Sequence, residues 1–230
     1  MIDIRPIRRA EEFRAVEQLQ QEIWNVVDRE VVPTLHLIPA TAVGAILLGA
    51  FDGERLVGFV YGFPGFEGEA RIIHSDMLAV LPDYRGAGLG RRLKMAQRQA
   101  ALDAGVRRIT WTFDPLQARN AHLNFNRFGV TSKRYLRDFY GDTTSPLHRG
   151  IGTDRLWVEW NLSESSGLGP RGSETIRIEI PADVGALPVE EARAWREKTR
   201  DEFEKAFARG FIATRFERGT PAGAYILTAH

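Results

Sequence analysis

The stretch Leu78-Ala79-Val80-Leu81-Pro82-Asp83-Tyr84-Arg85-Gly86-Ala87-Gly88-Leu89-Gly90-Arg91-Arg92-Leu93 constrains this chain more than any other. An apolar strand runs out at Val80, a Pro-Asp turn follows, and a glycine-rich loop opens directly into a basic amphipathic helix. Such a loop exposes several backbone N–H groups at a helix N-terminus, where the macrodipole adds partial positive charge, so it suits a pyrophosphate. Gly86, Gly88 and Gly90 let the backbone turn tightly and approach phosphates with no Cβ in the way. Arg91 and Arg92 can add direct charge.

Spacing separates the candidate folds. A dinucleotide site wants G-x-G-x-x-G after the first strand and an acid about 20 residues on. Here the loop lies mid-chain, the spacing is G-x-G-x-G, and no strand-end acid follows at that distance. The G-K-[ST] of a phosphate-binding P-loop is absent. The pattern Arg85-x-x-Gly88-x-Gly90, after a strand ending Leu78-Ala79-Val80 and before a helix, resembles the acyl-CoA loop of the GNAT N-acyltransferase superfamily. A plain strand-to-helix turn would match the glycines but not the flanks. The resemblance implies acetyl-CoA or another acyl-CoA as co-substrate, bound along Leu78 to Val80 and Arg85 to Arg91.

Composition narrows the rest. The 230 residues, 43% hydrophobic, suffice for one large domain or one domain plus an accessory module. A net charge of +1 gives no hint of a nucleic-acid partner. Without cysteine there is no disulfide framework, thiolate metal site or cysteine nucleophile, and none of the five histidines falls in a metal-ligand spacing. The expectation is therefore no metal. Met1 to Pro6 lacks the apolar core of a signal peptide, and no apolar run approaches the ~18 residues of a membrane span. A cytoplasmic protein with no membrane partner is expected.

Periodicity predicts a strand over 2–7 and a helix from Ala10 with Phe13, Val16, Leu19 and Ile23 on one face. An irregular or short-helical segment follows over 25–45. Strands are expected over 46–51 and 56–63, joined through Asp52-Gly53 and ended by Pro64-Gly65. Further strands read over 71–80, 106–113, 130–136 and 156–162, with helices over 90–103 and 120–128. This order is that of the GNAT fold. It implies an α/β fold, with a mixed, splayed central sheet flanked by helices over residues 1–162. Residues 163–172 read as a linker. Beyond it, a β-α-β-β module over 173–230 is small for independent stability and is expected to dock on the first domain or across a homodimer. On its helix, Trp195, Thr199, Phe203 and Phe207 recur at i+4, while Arg196 and Arg200, one turn apart, are within reach of an anionic ligand but read better as a solvated face.

Transfer of an acyl group to an amine needs a base, a polarised carbonyl and a route for the departing thiolate. His74 and Asp76 share one face of their strand because side chains repeat every two residues. The resemblance places a base at those two positions and an oxyanion contact near Val80. A histidine titrates near ~6.5 and suits the task; the bland alternative is a polar filler on a half-exposed strand. The family's usual acid, a tyrosine four residues before a glycine, falls on Phe125 before Gly129, so that hydroxyl is missing. Tyr135 and Tyr140 are the available substitutes, or the thiolate leaves unaided. Asn120 resembles the asparagine that opens the family's next helix, and Asn124 and Asn126 can donate hydrogen bonds there. Trp24 and His36 fall in the segment that usually lines the acceptor pocket, although Trp24 also reads as core. A carboxylate on donor or acceptor would want an arginine clamp, for which Arg29, Arg71, Arg119 and Arg137 are open choices.

The leading reading is an N-acyltransferase moving acetyl or a larger acyl group, such as succinyl, to a small-molecule amine such as an amino acid. A non-catalytic acyl-CoA-binding regulator is the alternative that Phe125 suggests. Protein or peptide N-acetylation ranks lower, because no acidic run marks a peptide groove.

Overall fold

A computed structural model describes residues 1–141, 150–163 and 174–229. Over these residues the chain is a mixed α/β protein whose helices flank its sheet strands, as expected. It divides into two compact units, residues 1–109 and the described residues from 110 onward. The linker expected over 163–172 lies outside the described residues from 164 on.

The first unit runs β1 (Asp3–Pro6), α1 (Ala10–Trp24), α2 (Thr34–Ala42), β2 (Ile46–Asp52), β3 (Arg55–Glu67), β4 (Ala70–Val80) and α3 (Leu89–Asp103). Its strands are ordered β1-β2-β3-β4 with antiparallel neighbours throughout. The unbroken apolar run of β2 is buried over Ile46 to Phe51, as a strand covered on both faces must be. Trp24 of α1 meets Phe59 edge-on at 6.1 Å. A Cβ at the neighbouring Gly58 would lie 3.4 Å from Leu93 of α3, so the two helices cover opposite faces. Each fully buried aliphatic side chain contributes roughly 1.5–3 kcal/mol to this packing.

β3 continues past Pro64, where the sequence reading ends it. The β2 ladder stops at the Ile46–Gly62 pair, so residues beyond Gly62 have β4 as their pairing strand. An edge position is where a proline's missing N–H costs no ladder bond.

The second unit contains β5 (Arg108–Phe113), which begins at its boundary, then α4 (Ala118–His122), β6 (Thr131–Leu136), β7 (Arg155–Asn161), β8 (Thr175–Pro181), α5 (Val189–Ala208), β9 (Phe211–Glu217) and β10 (Ala222–Ala229). Its strand order is β5-β7-β6-β9-β10-β8. β9 joins β6 at the Ser132–Ala213 pair, so the C-terminal strands share a sheet with β6 and β7. The helix expected over 120–128 begins at Ala118, and its last six residues, Leu123–Phe128, widen into a π-turn. The widened turn coincides with Asn126 pairing its amide to both backbone groups of Phe216 on β9, at 2.8 and 3.0 Å.

Helix α5 corrects the expectation of a solvated arginine face. Its buried stripe is Ala192, Arg196, Thr199, Phe203 and Ala206. Arg196 is 2% exposed and pairs with Asp114 at 2.7 Å, while Arg200 grips Asp154 through two 2.8 Å bonds. A guanidinium can occupy a core position when a carboxylate meets it there, which hydrophobic periodicity does not register.

One carboxylate anchors the start of the first unit. Glu12 reaches back to accept the N–H groups of Arg8 and Arg9 at 2.9 and 3.1 Å and also pairs with Arg5 at 2.8 Å. Burial pushes its carboxyl up, but the bonds from Arg5, Arg8 and Arg9 overcome this and hold it at about 2. The folded value lies below the ordinary ~4.3, so the stabilisation is complete above that pH and is lost as pH falls towards 2. Glu12→Gln should therefore lower unfolding stability by about 2 kcal/mol near neutrality. Urea titrations should show that deficit shrinking steadily as the pH drops from ~4.5 to ~2.

Candidate active site

β4 carries the chemistry-bearing residues because it leaves register with β3 at one point. Ser75 pairs with Gly62 and Met77 with Tyr61, leaving Asp76 outside the ladder as a bulge. The side chains of His74 and Asp76 point to the face that holds Tyr61, His36 and Phe63. The His74 ring lies 5.4 Å from Phe63, whose ring is 6.3 Å from Tyr61. Tyr61 Oη lies 3.4 Å from His36 Nε2, which brings α2 to the same group. The sequence-predicted pair is thus brought together, and His36 joins it. Trp24 instead packs against Phe59 in the core.

The electrostatics follow from position. Burial pushes the His74 imidazole down to about 4, with the Lys94 charge acting in the same direction, so His74 is neutral at pH 7. Asp76 keeps solvent access, yet surrounding protein desolvates its carboxyl and pushes it up, against an opposing pull from His36. Burial and the Asp76 charge raise Tyr61. Tyr61 escaped the sequence reading: only its pairing beside the bulge brings it to Asp76.

The loop after Val80 is built as its sequence implies. Gly86 and Gly88 take φ of +87° and +77°, the left-handed region where a Cβ is strained. The first bond within α3 runs from Arg92 N–H to the Gly88 carbonyl at 3.0 Å. The N–H groups of Leu89, Gly90 and Arg91 therefore have no acceptor inside the helix and point outward from its N-terminus. Beside the open Cβ positions of Gly86 and Gly88, this cradle fits the pyrophosphate of a coenzyme A ester. Arg85 donates from Nε to the Val80 carbonyl at 2.9 Å, closing the strand end on the loop. Arg92, read as a source of charge for the loop, donates to the Ile2 carbonyl at 2.9 Å.

Apart from Arg29 and Arg71, the remaining candidates belong to the second unit. Tyr140 is 48% exposed, with its hydroxyl 3.0 Å from Thr112 Oγ1 and the Arg155 guanidinium 5.0 Å from its ring centre. Tyr135 donates to Asp154 at 2.7 Å, and burial with the Asp154 charge drives its hydroxyl far above the ordinary range. Of the two substitute tyrosines, Tyr140 is exposed and Tyr135 half-buried. Phe125 is core, edge-on to Phe113 and Tyr225. Asn120 is exposed on α4, whereas Asn124 is buried, its carbonyl receiving Val130 N–H. Among the arginines considered for a clamp, Arg137 is bound to Glu204 at 2.6 Å. Arg119 lines a groove of about 490 Å³ with Arg218 and Phe216. Arg29 and Arg71 are exposed. Among the described residues no cluster of three metal-ligating side chains occurs, and no helix is long and apolar enough to cross a membrane.

A family model described as Acetyltransferase (GNAT) family matches residues 13–129. In fold, the chain is similar to the ribosomal-protein-S18-alanine N-acetyltransferase from Escherichia coli, at 15% identity over 74% of this chain and 99% of that one, with a TM-score of 0.56. It is also similar to an aminoglycoside 6'-acetyltransferase type Ii (16% identity, 71% and 99% covered, TM-score 0.55). Arabidopsis thaliana NAA60 in complex with acetyl-CoA aligns at 18% identity over 70% and 99%, with a TM-score of 0.56. No curated protein matches the chain in sequence.

The loop's backbone makes a contrast between two of its glycines. Gly88→Val should lower stability by about 1–2 kcal/mol through left-handed strain alone. Gly90→Ala sits at an ordinary helical φ with its nearest contact at 3.8 Å, and should be neutral or raise stability by up to ~1 kcal/mol. Thermal unfolding of both variants checks this.

Proposed function

Because the chain belongs to the GNAT acetyltransferase family, we propose that it transfers an acetyl or larger acyl group from coenzyme A to the amine of a small molecule. The observation that carries this reading is the placing of His74 and Asp76 on one face of β4, in the strand that leads directly into the glycine loop. In this reading residues 1–162 hold the transfer machinery and 173–230 are an accessory module.

The exposed loop N–H groups, with Arg91 beside them, bind the pyrophosphate of the acyl-CoA. Asp76 receives and orients the acceptor, whose ammonium gives up one proton to solvent so that the free amine attacks the thioester. His74, near 4, is too weak a base to strip a resting amine, whose ammonium titrates near ~10. It takes the proton once the C–N bond has formed and the attacked nitrogen has become acidic. In this reading backbone N–H groups at the end of β4 stabilise the oxyanion. Tyr140, the more exposed tyrosine, is assigned to protonate the departing thiolate, with exposed Asn120 as a contact to the pantetheine arm. Exposed Leu35 and Ile38 on α2, with Phe63 and Phe66 on β3, favour an acceptor with an apolar body.

Phe125 at the family's tyrosine position supports a second reading, a regulator that binds acyl-CoA without turning it over. Calorimetric titration with acetyl-CoA, succinyl-CoA and CoA, followed by thiol-release assays on a panel of amines, separates the two. Tight binding with transfer supports the enzyme; tight binding with no acceptor supports the regulator. For an enzyme, His74→Ala and Asp76→Asn should each lower kcat by about 10²-fold or more with acetyl-CoA affinity unchanged. Unaltered turnover in both would remove these residues from the reaction.

A further inference from the structure

On the face of β4 opposite His74, a lysine is buried in the core. Lys94 of α3 is 3% exposed. Its Nζ donates to Ser75 Oγ at 2.9 Å and to Gln97 Oε1 at 3.1 Å, and Gln97 is itself fully buried. Room for this group depends on Gly62. A Cβ there would come within 2.8 Å of Gln97 Nε2 and 2.9 Å of the His74 carbonyl. A leucine or methionine would fill the site without the cost of removing an ammonium from water. That cost is visible in Lys94 itself, which burial pushes down to about 7.

What Lys94 holds is the residue beside the bulge. Ser75 is the last residue of β4 in register with Gly62 before Asp76 leaves the ladder, and its backbone joins His74 on one side to Asp76 on the other. We propose that Lys94 is a positioning residue for the acceptor site: by gripping Ser75 it fixes the bulge, and so the directions in which His74 and Asp76 present their side chains. The proposal rests on the assignment of those two residues to the reaction. Lys94 also acts through charge. Phe63 of β3 lies 5.4 Å from the His74 ring, Asp76 stands on the same face of β4, and the Lys94 charge acts on His74 through the sheet. His74 titrates near 4, where Lys94 is still protonated, so the two cations oppose one another.

Lys94→Met, similar in length but neutral, and Ser75→Ala, which keeps the charge but removes its acceptor, test this. The His74 midpoint is read by NMR titration, alongside kcat and acetyl-CoA affinity. In Lys94→Met the midpoint should rise by about one pH unit, and kcat should fall about tenfold, with acetyl-CoA affinity unchanged. Ser75→Ala should lower kcat similarly while leaving the midpoint in place. A wild-type midpoint in Lys94→Met together with wild-type kcat in both variants overturns the proposal. If Lys94→Met does not fold, wild-type kcat in Ser75→Ala overturns it alone. Failure of the reaction assignment is seen separately, as full turnover in His74→Ala and Asp76→Asn.

Discussion

The ladder between β3 and β4 governs the first unit. β3 is covered by α1 on one face and α3 on the other, and its alternate residues must serve both. Gly58 and Gly62 make this workable: a Cβ at either would run into the β4 backbone within 3 Å. Close approach on that side draws α3 onto the sheet, which sets the distance from which Lys94 reaches Ser75. One slip in the ladder then leaves Asp76 unpaired. A bulge bends a strand and re-aims its side chains, and here the re-aimed residue is a carboxylate next to a buried histidine.

Two polar arrangements of opposite logic result. In the first unit, burial keeps the His74 imidazole neutral, with the Lys94 charge acting in the same direction. In the second unit, buried charges are matched. Arg196 meets Asp114, which also receives the Leu116 N–H at 2.9 Å, and Arg200 meets Asp154, which also receives the Tyr135 hydroxyl. Such pairs add little net stability but penalise any arrangement that separates them, so they specify how α5 seats on its sheet. α5 thereby becomes part of the second unit's core and ties residues 189–208 to strands that precede them by dozens of positions.

Several local features were legible in the residues. The glycine loop, the strand before it and the helix after it are set by φ preferences and apolar periodicity, which act over a few positions. His74 and Asp76 were legible for the same reason, as residues two apart on one strand. The loop glycines adopt the left-handed conformations their type favours. The extension of β3 through Pro64 was not legible, because a proline's tolerance depends on whether a neighbouring strand needs its N–H. Nor was the π-turn over Leu123–Phe128, which accompanies a bond from Asn126 to a strand some ninety residues later.

The sequence by itself determined the elements, the loop and the side of β4 on which two titratable groups stand, since each rests on interactions between residues near in the chain. Only the tertiary structure decided which cations are buried, where β4 slips against β3, that Tyr61 and His36 join the site, and that Tyr135 is locked while Tyr140 is open. Those outcomes depend on which distant groups meet in a medium of low polarity. There, a partner a few ångströms away decides whether a charge, a hydroxyl or a proline is tolerated.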